Sequence, residues 1–296
     1  MLPITKIKHQ FYVHRDDLNH EFVSGNKLHK LQPNIDLAID TNKDTLLSFG
    51  GPYSNHLHAL AYACKIYQLS SVGVIRGELK ASLTPTLRDC RDWGMQLYEC
   101  SRNDFRSLRN IVEKLGPQEA LPRVKQTLAS LSAVEEKNTI LIPEGGSNKS
   151  AIQSLANAYA PLFEDPKYRN VSYAVCATGT GATVAGLKQA APNHVKVIGI
   201  QAVAEGVATE TRIKSWIDQV KTGIEIQEGH LGGFGKSSRE LDEFIAAFEQ
   251  QWGIPLDSIY NGKVFYHLNN LVAKNYFKTT DRVLVVHTGG LQGKRT

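Results

Sequence analysis

The chain has 296 residues, and its 34 Lys and Arg against 29 Asp and Glu leave a formal net charge of +5. The hydrophobic share is 42% and the charged share is 21%, which is ordinary for a globular protein. A chain of this length suits two lobes or one large α/β domain. The basic residues are spread along the chain without a run of five like charges, so a nucleic-acid-binding tail is not expected.

Cysteine usage and hydropathy narrow the class of protein further. The chain has four cysteines (Cys64, Cys90, Cys100 and Cys176) and no Cys-x-x-Cys pair, which predicts buried or free thiols in a reducing cytosol and no metal site. No stretch of the sequence reaches 18 consecutive apolar residues, so no membrane span is expected. The first residues lack the apolar core of a signal peptide. We therefore predict a cytoplasmic protein with neither a membrane nor a nucleic-acid partner.

Apolar runs that are typical of strands alternate with helical periodicity along the chain. The predicted strands, in chain order, are residues 45–51, 70–77, 95–100, 138–146, 171–177, 195–203 and 282–290. Leu57, Leu60, Ala61 and Cys64 recur at helical spacing after the first strand, and residues 241–252 form a second amphipathic pattern. This alternation predicts an α/β fold with mainly parallel sheets.

Several predicted strands end in small, flexible residues. These ends are GGPYSN after residue 49, EGGSN after residue 143, TGTGAT after residue 177 and TGG after residue 287. Ligands of open parallel sheets lie outside the carboxyl ends of the strands, where glycines let backbone amides approach closely. Four such ends favour a shared small-molecule site, although glycines also end strands in α/β proteins that bind nothing there.

The segment TGTGAT, residues 178–183, opens a predicted helix. Amides at a helix N-terminus, together with the helix dipole, favour a phosphate group. Two nucleotide-binding patterns do not fit, because Ala182 stands where a Walker loop needs lysine and Val184 stands where a dinucleotide fingerprint needs glycine. A single phosphate group fits better. A phosphate loop and a lysine near the N-terminus suggest pyridoxal phosphate, which needs a lysine for its Schiff base.

Six motifs, GNKLHKL, GGPYSNH, EGGSN, TGTGATVAG, YNGK and HTGG, occur in the order found in the 1-aminocyclopropane-1-carboxylate deaminase / D-cysteine desulfhydrase family. The chain resembles this family from about residue 15 to its C-terminus. The resemblance implies a two-lobed fold-type II (tryptophan-synthase-β-like) enzyme that binds pyridoxal 5′-phosphate, with mainly parallel open sheets and helices on both faces. It implies a large cofactor domain of residues 1–40 and 140–296, a small α/β domain of residues 41–139, and a homodimer.

The resemblance also implies roles for residues of the first two motifs. Lys27 matches the lysine that carries the cofactor and takes the α-proton, and Asn55 matches the asparagine beside the cofactor's phenolate oxygen. Ser54 matches a serine that binds the substrate carboxylate or assists proton transfer, with an ordinary helix N-cap as the alternative. His56 is expected near the substrate, although a solvated helix histidine is an equal alternative. Lys30 is expected to be a solvated or phosphate-side charge.

The later motifs complete the expected site. The resemblance implies that the cofactor phosphate is bound by Thr178, Gly179, Thr180, Gly181, Ala182 and Thr183. Tyr260 matches a tyrosine close to the ring and the substrate, with a packed aromatic residue as the alternative, and Thr288 is expected to face the pyridine nitrogen. Gly146 and Phe234 are expected to contact the substrate.

Four departures from the family's motifs bear on the substrate. The deaminases have glutamate and leucine where this chain has Asn261 and Thr288, and a neutral partner for the ring nitrogen suits elimination of a leaving group. Phe234 replaces a tyrosine and Tyr53 replaces a frequent glutamine, which reshapes the expected pocket.

We predict that the protein catalyses α,β-elimination from D-cysteine, giving pyruvate, hydrogen sulfide and ammonia. The alternatives are deamination of 1-aminocyclopropane-1-carboxylate or D-serine, and a low-turnover protein that binds pyridoxal phosphate or another phosphorylated metabolite.

Overall fold

The computed structural model describes residues 10–79, 82–203, 207–217, 223–233 and 236–295. The strands within these ranges are β1 (Gln10–Arg15), β2 (Thr45–Gly50), β3 (Ser70–Arg76), β4 (Gln96–Cys100), β5 (Thr139–Leu141), β6 (Tyr173–Thr178), β7 (Lys196–Gln201), β8 (Ile224–Glu228) and β9 (Arg282–His287). The α-helices within them are α1 (Asn26–Asp40), α2 (Asn55–Tyr67), α3 (Pro85–Asp92), α4 (Arg102–Leu115), α5 (Pro117–Thr127), α6 (Lys149–Glu164), α7 (Ala182–Ala190), α8 (Val207–Trp216), α9 (Arg239–Trp252) and α10 (Asn261–Ala273).

The chain divides into two compact units, and each has its own parallel sheet. The described residues of the five-stranded unit fall within 10–19, 24–26 and 152–294. Those of the four-stranded unit fall within 20–23 and 27–151, together with residue 295. The two names refer to these residues throughout.

The division of the chain differs from the domain boundaries that the sequence suggested. Residues 27–40 and 140–151 lie in the four-stranded unit, whereas they were expected in the large cofactor domain. Apolar packing explains the difference, because Leu31 and Ile35 of α1 share a buried cluster with Leu46 of β2. Strand β5 also pairs with β2, which attaches the segment that follows it to the same unit.

The sheet of the five-stranded unit has the order β1-β9-β6-β7-β8, with every neighbouring pair parallel. Successive side chains of a strand point to opposite faces, so Ala174 and Cys176 of β6 enter one buried cluster and Val175 and Ala177 enter the other. Helices α6, α7 and α8 contribute to the first cluster, and α9 and α10 contribute to the second. Helices therefore cover both faces of this sheet, as predicted.

The sheet of the four-stranded unit has the order β4-β3-β2-β5 and is also parallel throughout. Leu46 of β2 packs with α1, α2 and α3 on one face, while Leu47 packs with α4 and α5 on the other. Strand β5 has three residues, which is shorter than the predicted 138–146, because Pro143 has no amide hydrogen and residues 144–146 form a 3-10 turn. This turn brings Gly146 to the carboxyl side of the strand.

The four cysteines are buried and unpaired by disulfides, as the sequence predicts. Burial raises the pKa of the Cys64, Cys90 and Cys176 thiols to about 12, so these thiols stay protonated at neutral pH. Within the described ranges, no helix combines the length and the apolar character that a bilayer crossing needs.

Candidate active site

The loop of residues 178–183 connects β6 to α7 in the five-stranded unit. Gly181 precedes α7 with φ +99°, and a Cβ there would lie 2.6 Å from Ile213 Cγ1, so a larger residue does not fit. The N-cap residue of α7 is Gly181 itself, which has no side chain to cap the helix. Because the first-turn amides of a helix have no partner within the helix, the start of α7 has the chemistry that suits an anion.

Two threonines of this loop have different surroundings. Thr178 is buried at the end of β6, and its hydroxyl has no hydrogen-bond partner among the described residues. That hydroxyl lies over Gly199 of β7, where an added Cβ would come within 2.3 Å of it. Thr183 Oγ1 instead accepts a hydrogen bond of 2.8 Å from Asn26 Nδ2. Thr183 therefore attaches the loop to the residue that precedes Lys27.

The backbone before Lys27 is packed directly against the last of the glycine-rich strand ends. Gly25 has φ +67°, and a Cβ at this position would lie 2.0 Å from the carbonyl oxygen of Thr288. The Gly25 amide donates to Asn19 Oδ1 at 2.9 Å, and Asn19 Nδ2 donates to the Gly25 carbonyl at 3.0 Å. The Asn26 amide donates to the Thr288 carbonyl at 3.3 Å. Gly25 and Asn26 thus pack closely against the Thr288 backbone, and hydrogen bonds hold them there.

Asn261 connects Thr288 to the start of α10. Its Nδ2 donates to Asp257 Oδ2 and to the Gly289 carbonyl, each at 2.8 Å. Both partners only accept, so Nδ2 must face them and Oδ1 must face Thr288. Oδ1 accepts from the Thr288 amide at 3.0 Å and from its hydroxyl at 3.3 Å. The side-chain amide of Asn261 thereby fixes the position of the Thr288 side chain.

Tyr260 lies beside the loop of residues 178–183 and is held by Asp257, the residue that also binds Asn261. Its amide donates to Asp257 Oδ1 at 2.6 Å, and its ring packs partly against the apolar cluster of α9 and α10. A Cβ at Gly179 would lie 3.6 Å from Tyr260 Cε1. The five-stranded unit therefore brings together Tyr260, Thr288 and the loop. Both interpretations of Tyr260, the packed aromatic residue and the ring next to a ligand loop, fit this position.

Ser54 and Asn55 lie at the start of α2 in the four-stranded unit, and both are half-buried. Ser54 Oγ accepts a hydrogen bond of 3.2 Å from the Leu57 amide, so Ser54 is an ordinary N-cap. Gly50 leaves room for it, since a Cβ there would lie 2.5 Å from Ser54 Oγ. The capping bond uses the oxygen of Ser54 as an acceptor and leaves its hydrogen able to be donated.

His56 is buried, and the alternative of a solvated histidine is wrong. Ser48 Oγ donates to the Ile142 carbonyl at 2.8 Å and lies 2.8 Å from His56 Nε2, so this nitrogen carries the hydrogen. The acceptor nitrogen, Nδ1, has no partner among the described residues and would lie 3.2 Å from a Cβ at Gly146. Burial, followed by the charge of Lys30, lowers the pKa of His56 well below 6.5.

Lys30 is also buried, so the expectation of a solvated charge is wrong. Its side chain lies within the four-stranded unit, where Nζ donates to Ser147 Oγ at 3.1 Å. In the described part of the chain, no carboxylate lies within ion-pair distance of it. Burial, and then the charge of Lys27, lower the pKa of Lys30 well below 10.5.

We expect Lys30→Met to flatten the pH dependence of stability of the cofactor-free protein. The pKa of Lys30 is lower in the folded chain than in the unfolded one, so the unfolded chain binds the proton more tightly. Stability should therefore rise as the pH increases from the folded pKa towards 10.5, by up to about 1.4 kcal/mol per pH unit. Urea unfolding between about pH 7 and about pH 10 measures the slope. Lys65→Met, on the exposed end of α2, is the matched control, and equal slopes in all three proteins would contradict the expectation.

The remaining predicted residues, and two that the sequence did not suggest, complete the description. Gly146 ends the 3-10 turn with φ +69°, next to His56, whereas Phe234 lies outside the described residues. Asp257 was not predicted, although an acidic residue shortly before a helical apolar run is a usual capping signal. Lys263 of the YNGK motif was not predicted either, and its ammonium donates to three backbone carbonyls.

Comparison with known proteins places these features in context. A family model described as "Pyridoxal-phosphate dependent enzyme" matches residues 2–289. The mitochondrial bifunctional D-cysteine desulfhydrase/1-aminocyclopropane-1-carboxylate deaminase of Arabidopsis thaliana is 27% identical over 303 residues, covering 96% of this chain and 73% of that protein. The D-cysteine desulfhydrase of Klebsiella pneumoniae is 25% identical over 295 residues, covering 95% and 87%. The crystal structure of an ACC deaminase homologue matches with a TM-score of 0.83, at 24% identity over 99% of this chain and 89% of that one, which confirms the predicted fold class.

Proposed function

Because the chain belongs to the family of pyridoxal-phosphate-dependent enzymes, we propose that it catalyses α,β-elimination from D-cysteine and releases hydrogen sulfide, pyruvate and ammonia. The family establishes pyridoxal phosphate as the cofactor, and the relatives named above are D-cysteine desulfhydrases and 1-aminocyclopropane-1-carboxylate deaminases.

The observation that carries the proposed site is the double contact of Asn26. Its side chain binds Thr183 of the loop, and its amide binds the Thr288 carbonyl. Lys27 directly follows Asn26 in the chain, so the two hydrogen bonds of Asn26 fix the point at which the Lys27 backbone begins. The uncapped first turn of α7 fits a single phosphate group. These residues fit pyridoxal phosphate, with the loop holding the phosphate, Lys27 binding the aldehyde carbon and Thr288 facing the pyridine nitrogen.

Bound pyridoxal phosphate supplies an electron sink for bond breaking at the substrate's α-carbon. In the proposal, the Lys27 amine holds the cofactor and, once displaced by the substrate amine, takes the α-proton. Ser54 donates its hydroxyl hydrogen to the substrate carboxylate, and Asn55 lies beside the phenolate oxygen. In the proposal, neutral His56, whose Nδ1 lies near Gly146, offers this nitrogen to the substrate as an acceptor, and Tyr260 flanks the ring.

The atoms of the proposed reaction balance without an external oxidant. The α-hydrogen leaves as a proton to Lys27, the C–S bond breaks, and the sulfur leaves with the bonding electrons as hydrosulfide. The remaining enamine takes up water and gives pyruvate and ammonia. The bond-breaking step is an elimination, which makes the protein a lyase rather than a hydrolase.

D-Cysteine is preferred over the cyclic substrate because of the residues at positions 261 and 288. Residue 261 is asparagine and so offers no carboxylate to the ring nitrogen, and its side-chain amide is held by Asp257, Gly289 and Thr288. In the proposal, the Thr288 hydroxyl turns from Asn261 Oδ1, to which it donates at 3.3 Å, and donates to the ring nitrogen instead. A ring with this neutral partner is a weaker electron sink, which suits a substrate whose leaving group takes the electrons early. A homodimer in the cytoplasm stays a prediction from the sequence.

The substrate assignment is tested with D-cysteine, L-cysteine, D-serine and 1-aminocyclopropane-1-carboxylate, each incubated with the holoenzyme. We expect equal amounts of sulfide and pyruvate from D-cysteine, with the highest kcat/KM of the four. The cyclic substrate has four carbons and would give 2-oxobutyrate, so the two activities are separated by product. A higher kcat/KM for 2-oxobutyrate release would favour the deaminase alternative. Absence of a 2-oxo acid from all four compounds would contradict the proposal and favour low turnover.

A further inference from the structure

Helix α8 packs against the loop of residues 178–183, and the proposed reaction uses none of the residues of this helix. A Cβ at Gly181 would lie 2.6 Å from Ile213 Cγ1 and 3.6 Å from Thr209 Cγ2. Ile213 and Thr209 both belong to α8, and both are fully buried. Because a buried contact this close leaves no room for movement, it fixes α8 beside the start of α7.

Arg212 of the same helix makes a hydrogen bond to the backbone of this loop. The side chain is half-buried, and its Nη1 donates to the Thr180 carbonyl at 3.3 Å. A guanidinium is charged at every pH at which the protein is folded, and all of its nitrogens are donors. The residue directly before Ile213 therefore supplies a permanent positive charge to the loop, from a helix whose position is fixed.

The peptide bond between Thr180 and Gly181 carries the effect of this contact to the other side of the loop. The peptide is trans, so its C=O and N–H point in opposite directions and the Gly181 N–H points away from Arg212. The Ala185 amide makes the first backbone hydrogen bond of α7, to the Gly181 carbonyl at 3.0 Å, and the amides before it have no partner within the helix. The charge of Arg212 offsets the negative end of the Thr180 peptide dipole, which makes the amide side more favourable for an anion.

We propose that Arg212 is a positioning residue for the cofactor's phosphate group, which orients the peptide between Thr180 and Gly181 and adds positive charge behind the amides that receive the phosphate. The inference rests on the proposed function, in which the loop of residues 178–183 holds the phosphate of pyridoxal phosphate. Arg212 acts through the backbone of the loop, so its effect depends on the charge of the ligand. Pyridoxal, which has the same ring and aldehyde without the phosphate, gains nothing from Arg212.

The test measures the Kd of pyridoxal phosphate and of pyridoxal for the cofactor-free protein by fluorescence titration. In Arg212→Met, we expect the Kd of pyridoxal phosphate to rise about tenfold and that of pyridoxal to change by less than about twofold. Arg212→Lys keeps the charge and should restore most of the affinity for pyridoxal phosphate. Lys214→Met is the matched control, because Lys214 is an exposed cation of the same helix, paired with Glu210 at 2.7 Å. This control makes the same change of net charge and should keep both wild-type Kd values.

The ratio of the two Kd values separates a role in phosphate binding from general damage to the fold, which would weaken the binding of both compounds alike. An equal rise of both Kd values in Arg212→Met, or no rise for pyridoxal phosphate, would overturn the inference, as would the same selective loss in Lys214→Met. If Arg212→Met does not fold, Arg212→Gln, which keeps an N–H donor and loses the charge, takes its place and should show the same selective loss.

The titrations contain no amino acid, so their outcome is independent of the substrate assignment. A wild-type protein that acts on another amino acid would contradict the proposed function and leave the inference standing. A wild-type protein that binds pyridoxal as tightly as pyridoxal phosphate would contradict the phosphate loop, and the inference with it.

Discussion

Lys27→Ala is expected to abolish both the covalent attachment of pyridoxal phosphate and the release of pyruvate. Alanine has no amine that could bind the cofactor's aldehyde carbon, and none that could take the α-proton. The loss of turnover should be roughly 10³-fold or more, since both the covalent and the proton-transfer contributions disappear. The absorption spectrum of the reconstituted protein and the pyruvate assay measure the two effects separately.

The phosphate loop is unchanged in this variant, so cofactor binding should weaken without disappearing. Asn26, Thr183 and the start of α7 all remain in place, and a fluorescence titration should still show bound pyridoxal phosphate. Lys65→Ala, on the exposed end of α2, is the control and should match wild type in spectrum and activity. A Lys27→Ala protein with the wild-type visible spectrum would contradict the assignment of Lys27.

Gly25→Ala is expected to have the largest effect on stability among single methyl additions at this site. The new Cβ would lie 2.0 Å from the Thr288 carbonyl oxygen and 2.6 Å from the Gly289 amide nitrogen, both of which are backbone atoms. The left-handed backbone costs about 1–2 kcal/mol and the overpacking about 1–3 kcal/mol, so the free energy of unfolding should fall by roughly 2–5 kcal/mol. Urea unfolding of the cofactor-free protein measures it.

Gly253→Ala is a control matched in backbone conformation. Gly253 ends α9 with φ +63°, against +67° for Gly25, and an added Cβ meets no atom within 4 Å. The free energy of unfolding of this variant should fall by about 1–2 kcal/mol, which isolates the contribution of the left-handed backbone. If both variants lose the same free energy, the close contact with Thr288 does not determine the identity of residue 25. We also expect weaker cofactor binding in Gly25→Ala alone, because the displaced backbone carries Asn26.

The sequence best predicts the strands that carry a run of apolar residues, because this signal lies within the strand itself. Strands β2, β3, β6, β7 and β9 are continuous apolar runs because both faces of a parallel sheet are covered. Strands β1 and β8 were not predicted. They form the two edges of the five-stranded sheet and are only partly buried, so their sequences lack such runs.

The features of the site divide in the same way: some follow from neighbouring residues, and others depend on contacts with residues far along the chain. Glycines and threonines at residues 178–183 predict an anion loop, because the helix that follows and its missing cap are local features. The burial of Lys30 and His56 could not be predicted from helical spacing, since it depends on packing with Ser48 and Ser147 on other elements. The requirement for Gly25 likewise comes from Thr288, at the other end of the chain.

The most direct test of the account is to reduce the holoenzyme with borohydride, digest it and map the modified peptide by mass spectrometry. Reduction makes the bond between the cofactor and its lysine permanent, so the label identifies the residue. We predict the pyridoxyl mass on Lys27 alone, in the segment VSGNKLHKLQ that also contains Lys30. A label on Lys30 or on any other lysine would contradict it.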